Sequence, residues 1–404
     1  MEVLATMQTA RAHADPLEKK GLRASCKDLN TSRIGLSEED GGVTKPSAAD
    51  ARRDVGSMEV GELEAAIEAL GHPRFRARQI FRWIYAKGVT DFEKMTDLSR
   101  PLRTDLARRL RVSTPLVLSK ETSSDGTVKF LLELEDGRRI ESVFIPDTPS
   151  QTFCISTQVG CAMKCGFCLT GKMGLARNLT AGEIAGQVRV LAGELGLLGT
   201  KFNIVLMGMG EPLHNYDNTM KGLRILNDEH GLGVSPRRIT LSTVGVLPAL
   251  ERLATEPLMP NLAISLHATT EDQRDTLVPV NRKYGLADIL DAARRFPANR
   301  RHRITFEYVL LRGINDTPED ARRLVRLLGN IRCKVNLIPL NEAAGIPFDR
   351  PADDRIDTFG RILANAGLTV SVRKSRGRDI RAACGQLIVE GPNKSAGQKA
   401  AALM

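Results

Sequence analysis

Between residues 152 and 375 the chain repeats one pattern six times: a short apolar or β-branched run, then a stretch with helical periodicity. The strand runs are Thr152–Ser156, Phe202–Met207, Arg238–Ser242, Leu262–Leu266, Ile304–Leu310 and Lys334–Ile338. Helix-start signals fall between them. Thr180 with Glu183 spells a capping box, and Thr317 followed by Pro318 places a proline at the first helical position. Six β/α units in succession predict an α/β fold, a parallel sheet with helices outside it, closed or partly closed as a (β/α)6 barrel. In that architecture chemistry sits on the loops after the C-terminal strand ends, so the residues found there carry the functional reading.

The rest of the chain divides around this core. Residues 58–110 read as a helical domain: Ala77, Ile80, Phe81, Ile84 and Tyr85 recur at helical spacing, and Gly88 supplies a stop. Residues 111–150 read as a β-rich connector, with runs at Lys129–Leu134 and Ile140–Ile145 and turns at Asp125-Gly126 and Asp136-Gly137. Residues 1–57 are polar and aperiodic and are expected to be a disordered extension; 391–404 are expected to be a loose tail, leaving 151–390 as the core. No run of about 18 apolar residues predicts a membrane span, and no segment reads as a secretory or transit signal. Seven cysteines, three of them within eight residues, do not make a secreted disulfide framework; they point to metal or redox chemistry in a reducing cytoplasm.

Those three are Cys161, Cys165 and Cys168, on a glycine-rich loop directly after the first strand. A closed structural zinc site needs four ligands, and no fourth Cys or well-spaced His follows nearby. A [4Fe–4S] cluster held by three thiolates leaves one iron open to an external ligand. CxxxCxxC in this position resembles the radical S-adenosylmethionine (SAM) superfamily, whose open iron chelates SAM. The next strand ends fit that expectation. Gly210 and Glu211 follow the second strand, where glycine permits close backbone approach and a carboxylate suits an ammonium. Ser242 ends the third strand, Ser265, Leu266 and His267 the fourth, and Asn341 follows the sixth. Each is a candidate cofactor contact.

Two further cysteines stand apart, Cys154 in the first strand and Cys384 far downstream beside a glycine. With Phe75-Arg-Ala-Arg-Gln-Ile-Phe-Arg-Trp-Ile-Tyr85, Glu141-Ser-Val-Phe-Ile-Pro146, the cysteine loop, Gly210-Glu-Pro-Leu213, Ser265-Leu-His267 and Asp379-Ile-Arg-Ala-Ala-Cys384-Gly-Gln-Leu387, the chain resembles the RlmN family over about residues 58–390. The resemblance implies a radical SAM barrel and an enzyme that methylates carbon 2 of adenosine in RNA, at adenosine 2503 of 23S rRNA and adenosine 37 of tRNAs. It implies two SAM molecules per methylation, an electron donor such as a flavodoxin-type reductant, a cytoplasmic monomer and no membrane. By the same resemblance Cys384 carries the methyl group and joins covalently to RNA. Cys154 then releases the product by forming a disulfide with Cys384, and either Glu141 or Cys154 removes the proton from carbon 2. The alternatives are a carbon-8 methyltransferase of the Cfr type and, further off, a non-enzymatic zinc-stabilised RNA-binding module.

Charge agrees with an RNA partner. Lys and Arg number 58 against 48 Asp and Glu, a surplus of +10. Between Arg282 and Arg381 about 21 basic residues face about 12 acidic ones, so most of the surplus lies there. The densest runs are Arg300-Arg301-His302-Arg303 and Arg373-Lys374-Ser-Arg376-Gly-Arg378; the second stands just before Cys384, where phosphates are expected to approach. Arg74, Arg76, Arg78, Arg82 and Lys87 in the helical zone are the other expected RNA surface. Aromatics are only 4% of the chain, which disfavours a base-stacking platform.

Overall fold

The computed structural model describes residues 52–146, 150–297 and 303–389. It starts with order earlier than the sequence implied. Arg53–Asp54 (β1) pairs in parallel with Leu110–Arg111 (β2), and Val55 is fully buried. The reason is Asp54. Its carboxylate accepts from Gly56 N, Ser57 Oγ, Ser113 N and Ser113 Oγ, all at 2.8–2.9 Å. One capping carboxylate fixes a segment that has no periodicity of its own. The remainder of 1–57, together with the tail at 391–404, lies outside the described residues.

Between β1 and β2 lie helices α1 (Val60–Ala69), α2 (Arg76–Phe81) and α3 (Arg100–Arg109). The expected apolar face of α2 is buried as Ala77, Ile80 and Phe81, and the helix continues into a π turn at Arg82–Ala86 that buries Ile84 and Tyr85. Gly88 then takes φ +70°, the left-handed exit that glycine tolerates. Tyr85 donates its hydroxyl to Gly56 O at 2.6 Å, tying this domain's helix to its first turn.

A ten-stranded sheet follows. Three antiparallel strands, β3 (Leu116–Thr122), β4 (Val128–Glu133) and β5 (Arg139–Ile145), lead to β6 (Thr152–Cys154), with Val143 opposite Cys154. The hairpin of β7 (Gln158–Gly160) and β8 (Leu175–Asn178) encloses α4 (Leu169–Lys172). From β6 the sheet continues in parallel through β9 (Asn203–Leu206), β10 (Ile239–Thr243), β11 (Asn261–Ser265), β12 (Ile304–Leu310), β13 (Cys333–Pro339) and β14 (Thr369–Val372). All six expected core strands are present. The seventh parallel strand, β14, was not expected: it is four residues long and mostly exposed, so it carries almost no apolar signal.

The crossovers are α5 (Ala181–Glu194), α6 (Tyr216–Asn227), α7 (Leu247–Leu253), α8 (Glu271–Leu277), α9 (Leu286–Arg295), α10 (Pro318–Leu328) and α11 (Asp353–Asn365). Both predicted capping signals form. Thr180 and Glu183 cap α5 reciprocally, and Thr317 caps α10 with Asp320. Strand β12 shows how the sheet divides its faces. Ile304, Phe306, Tyr308 and Leu310 are buried in the outer core, where Tyr308 meets Phe359 of α11 at 5.3 Å, while Thr305, Glu307 and Val309 line the interior. A parallel strand covered on both sides can hold a carboxylate only where the inner side opens to a cavity.

Candidate active site

The cysteine loop is shaped by its glycines. Gly160 has φ +78°, and a Cβ there would sit 1.9 Å from Gly174 O, so no other residue fits that turn. A Cβ on Gly171 would press on the Cys165 backbone at 3.0 Å. The loop turns Cys161, Cys165 and Cys168 into one cavity of about 170 Å³, open to solvent at its mouth. Burial, followed by the neighbouring thiols, pushes Cys165 well above the usual thiol range. Burial likewise raises Cys161 to about 12 and also raises Cys168. Among the described residues no three His, Cys, Asp or Glu side chains surround a single ion. The three thiols line the cavity wall. That donor set fits an iron–sulfur cluster, whose positive iron would reverse the penalty on the thiolates.

The expected strand-end residues assemble around the same cavity, with one exception. Gly208 and Gly210 let the loop after β9 cross the chain closely: Cβ atoms there would lie 2.7 Å from Ile155 and 2.6 Å from Gln158. Glu211 is buried, accepting from Leu213 N at 3.0 Å and Val244 N at 2.9 Å, and burial raises its carboxyl to about 7. Ser242 and Ser265 face each other at 3.4 Å across β10 and β11. His267, at φ +60°, accepts from Val309 N on Nδ1 at 3.0 Å. That tautomer leaves Nε2–H as a donor. Burial drives its imidazole down to about 3, so it stays neutral. Asn341 donates to Cys384 O at 3.1 Å, while its Oδ1 is buried without a partner, an acceptor waiting on the cavity wall. The exception is Leu266. Its side chain is wholly buried in the core, and only its backbone reaches the site's neighbours, its carbonyl accepting from Arg274 and its N–H donating to Glu307 O at 3.0 Å.

Cys154 and Cys384 share a small adjoining pocket with Arg373, Asn341 and Met207. Both are free thiols, so the disulfide expected between them is not formed in this structure. Burial, then Cys384, raises Cys154 to about 12, and Arg373 works against that rise. The guanidinium of Arg373 is itself held up chiefly by Cys384. The segment carrying Cys384 is fastened on both sides. Asp379 accepts from Ser123 Oγ (2.6 Å) and Ser124 N (3.1 Å), and Asp125 accepts from Gly377 N (3.0 Å). Downstream, Gly385 O accepts from Leu169 N, and Leu387 O from Thr170 Oγ1, which ties the carrier segment to the helix after Cys168.

Glu141 stands elsewhere. It does not line the cavity with Cys384; it pairs with Lys129 at 3.2 Å and accepts from Ile388 N at 2.9 Å. Burial raises its carboxyl. Some of the expected basic residues are paired within the protein. Arg74 and Arg78 share Glu64, each at 3.1 Å, and Lys87 lies over the Trp83 ring at 3.3 Å. Residues 300–302 of the other basic run lie outside the described residues, while Arg303 donates to Thr369 Oγ1. Sequence reasoning missed Glu307 and Thr170, which line the cavity. A carboxylate in the middle of an otherwise apolar strand was the one signal that marked Glu307.

A parallel half-barrel with three thiols after its first strand, and polar groups at the following strand ends, defines a radical SAM enzyme. The Radical SAM superfamily model matches residues 155–328, and the ribosomal RNA large subunit methyltransferase N-terminal domain matches residues 54–112. The chain is 51% identical to a dual-specificity RNA methyltransferase RlmN of Geobacter sulfurreducens, covering 84% of this chain and 92% of that one. It is 48% identical to RlmN 2 of Myxococcus xanthus, covering 87% and 96%. The crystal structure of a radical SAM methyltransferase from Sphaerobacter thermophilus superposes with a TM-score of 0.80 at 46% identity, covering 84% of this chain and all of that one. The chain belongs to the RlmN family of radical SAM RNA methyltransferases. It is a SAM-dependent methyltransferase.

Proposed function

We propose that the enzyme methylates carbon 2 of adenosine in 23S rRNA and tRNA, with Cys384 as methyl carrier and Cys154 as the thiol that releases the product. The observation that carries this reading is the shared pocket: Cys154 and Cys384 meet beside Arg373 and Asn341, next to the cavity lined by the cluster cysteines. Carbon 2 of adenine bears a non-acidic hydrogen and is electrophilic, so direct displacement on a SAM methyl does not suit it. A thiol that first accepts a methyl group and then presents it as a radical does.

Cys161, Cys165 and Cys168 would hold a [4Fe–4S] cluster, with Glu211 facing the SAM ammonium and Ser242, Ser265, His267 and Asn341 as further polar contacts. When bound, that cluster supplies the electron that cleaves SAM to an adenosyl radical. Arg373 lines the same pocket as Cys384 and places a guanidinium beside the proposed methyl carrier. Asn341 and the Leu169 and Thr170 contacts hold the carrier segment over the cavity. Cys154 is buried and protonated at rest, a form suited to holding a proton until it must attack Cys384. Glu141, clamped by Lys129 and Ile388 N, supports the carrier segment from behind, which favours Cys154 over Glu141 as the group nearest the reacting carbon.

RNA has a route to this pocket. A polar cavity of about 960 Å³ at the opposite end of the barrel shares Met207, Glu307 and Arg373 with the upper one. It is lined by Arg237, Arg238, Arg303, Lys334, Lys374 and Arg376, with Glu307 as its acid. No helix among the described residues is long and apolar enough to cross a membrane. A cytoplasmic enzyme served by a flavodoxin-type reductant fits thiols that must be restored after each cycle. Anaerobic incubation of Cys384→Ala with SAM and RNA tests the reading. Iron and sulfide should load normally while no methyl group reaches protein or RNA. Methylated RNA from that variant would refute it.

A further inference from the structure

Helix α8 carries a guanidinium that the chemistry so far leaves unused. Arg274 is wholly buried. It donates to Leu266 O (3.1 Å), Asn281 Oδ1 (2.9 Å), Val244 O (2.7 Å) and Ser265 O (3.2 Å). Every one of these acceptors is neutral. The nearby carboxylates Glu271 and Asp275 are engaged one residue away, both accepting from Asn281 Nδ2. A buried charge bonded only to carbonyl dipoles is costly unless an anion lies close by. Burial lowers Arg274 to about 10, opposed first by Cys165 and then by the carboxylates of Glu271 and Asp275, and it remains a cation at neutral pH.

A further anion, beyond those carboxylates, is indicated by what α8 touches. Leu277 O, at the end of this helix, accepts from Gly166 N at 3.0 Å, between the second and third cysteines. Leu277 and Val278 pack with Cys161, Met163 and Val244. The carbonyls of Val244 and Ser265 that Arg274 holds belong to the loops where Glu211 is anchored and Ser265 faces the cavity. The guanidinium thus braces two neighbouring strand ends from a helix whose end is bonded to the cysteine loop.

We propose that Arg274 is the buried counter-cation of the iron–sulfur centre held by Cys161, Cys165 and Cys168, and that it sets the potential at which that centre accepts its electron. The inference rests on the cluster reading given above. Three thiolates on a doubly positive [4Fe–4S] core leave a net charge of about −1. One electron from an external low-potential reductant takes the core from 2+ to 1+ and the site to about −2. A fixed, unscreened cation favours the second state over the first. Its four hydrogen bonds prevent it from relaxing away, so its contribution is permanent.

The test is an anaerobic redox titration of reconstituted protein without RNA, followed by electron paramagnetic resonance. Arg274→Gln removes the charge, and Arg274→Lys keeps it without the planar fork. Arg274→Gln should lower the midpoint, with about tenfold less cluster reduced at a given potential, which is about 59 mV for one electron. Arg274→Lys should titrate close to the wild type. A wild-type midpoint in Arg274→Gln, or a drop in Arg274→Lys equal to that in Arg274→Gln, would overturn the proposal. Should Arg274→Gln fail to fold, Arg274→Lys decides: the wild-type midpoint supports the proposal, and a lowered midpoint, absent iron or an unfolded chain overturns it. Wild-type protein that takes up no iron would instead remove the cluster reading itself.

Discussion

Glu211 offers a quantitative check on the site before any cofactor is added. Its carboxyl is buried, and burial raises it from the ordinary 4.5 to about 7, against the opposing bonds from Val244 N, Thr243 and Leu213 N. The shift is roughly 2.5 pH units, worth about 3 kcal/mol. Because the folded value lies above the unfolded one, the stability it represents is fully present below about pH 4.5. It is lost as pH rises through about 7. Urea unfolding of cofactor-free protein should therefore show the wild type losing about 3 kcal/mol more than Glu211→Gln between pH 4.5 and pH 8. Comparing the two proteins cancels the other titrating groups. Parallel curves would mean that the carboxyl is not held in a desolvated state, and its suitability for an ammonium partner would lose its physical basis.

Other perturbations address separate parts of the site. Gly210 has φ +103°, and a Cβ there would meet Gln158 at 2.6 Å. Gly210→Ala should cost about 1–3 kcal/mol in urea unfolding and weaken SAM binding in equilibrium dialysis. Asp379→Ala removes the bonds to Ser123 and Ser124, so amide exchange should accelerate across 377–389 while the melting temperature scarcely moves. Cys154→Ala should still form the Cys384 adduct with RNA but fail to release it, leaving a covalent protein–RNA species on a denaturing gel.

The fold was legible where the physics is periodic. Strand β12 was expected at Ile304–Leu310 and is found there, because seven consecutive residues rich in β-branched and aromatic side chains, all buried, admit little else. Short segments held by single side chains were not legible. Strand β1 exists because Asp54 caps two chain segments at once, and β14 because β13 offers it an edge. The site shows the same division. Cys161, Cys165, Cys168, Cys154 and Cys384 can be read as types at spacings, and all five reach the two adjoining pockets. Glu141 and Leu266 were expected in the site on their motifs, but strand register and core packing direct their side chains elsewhere. Arg274 could not be found at all from sequence, since one arginine on an amphipathic helix looks like any solvated charge until its burial is seen.

Arg373 links the two halves of the account. It lines the cysteine cavity, the Cys154–Cys384 pocket and the basic lower cavity, so the proposed methyl carrier, cofactor site and RNA route meet at one guanidinium. The most direct test of that arrangement follows an isotopically labelled SAM methyl group by mass spectrometry, in anaerobic reactions with protein-free 23S rRNA and with tRNA. The label should appear first on the peptide bearing Cys384 and then in the RNA as 2-methyladenosine. Label reaching RNA without passing through Cys384, or recovered only as 8-methyladenosine, would contradict it.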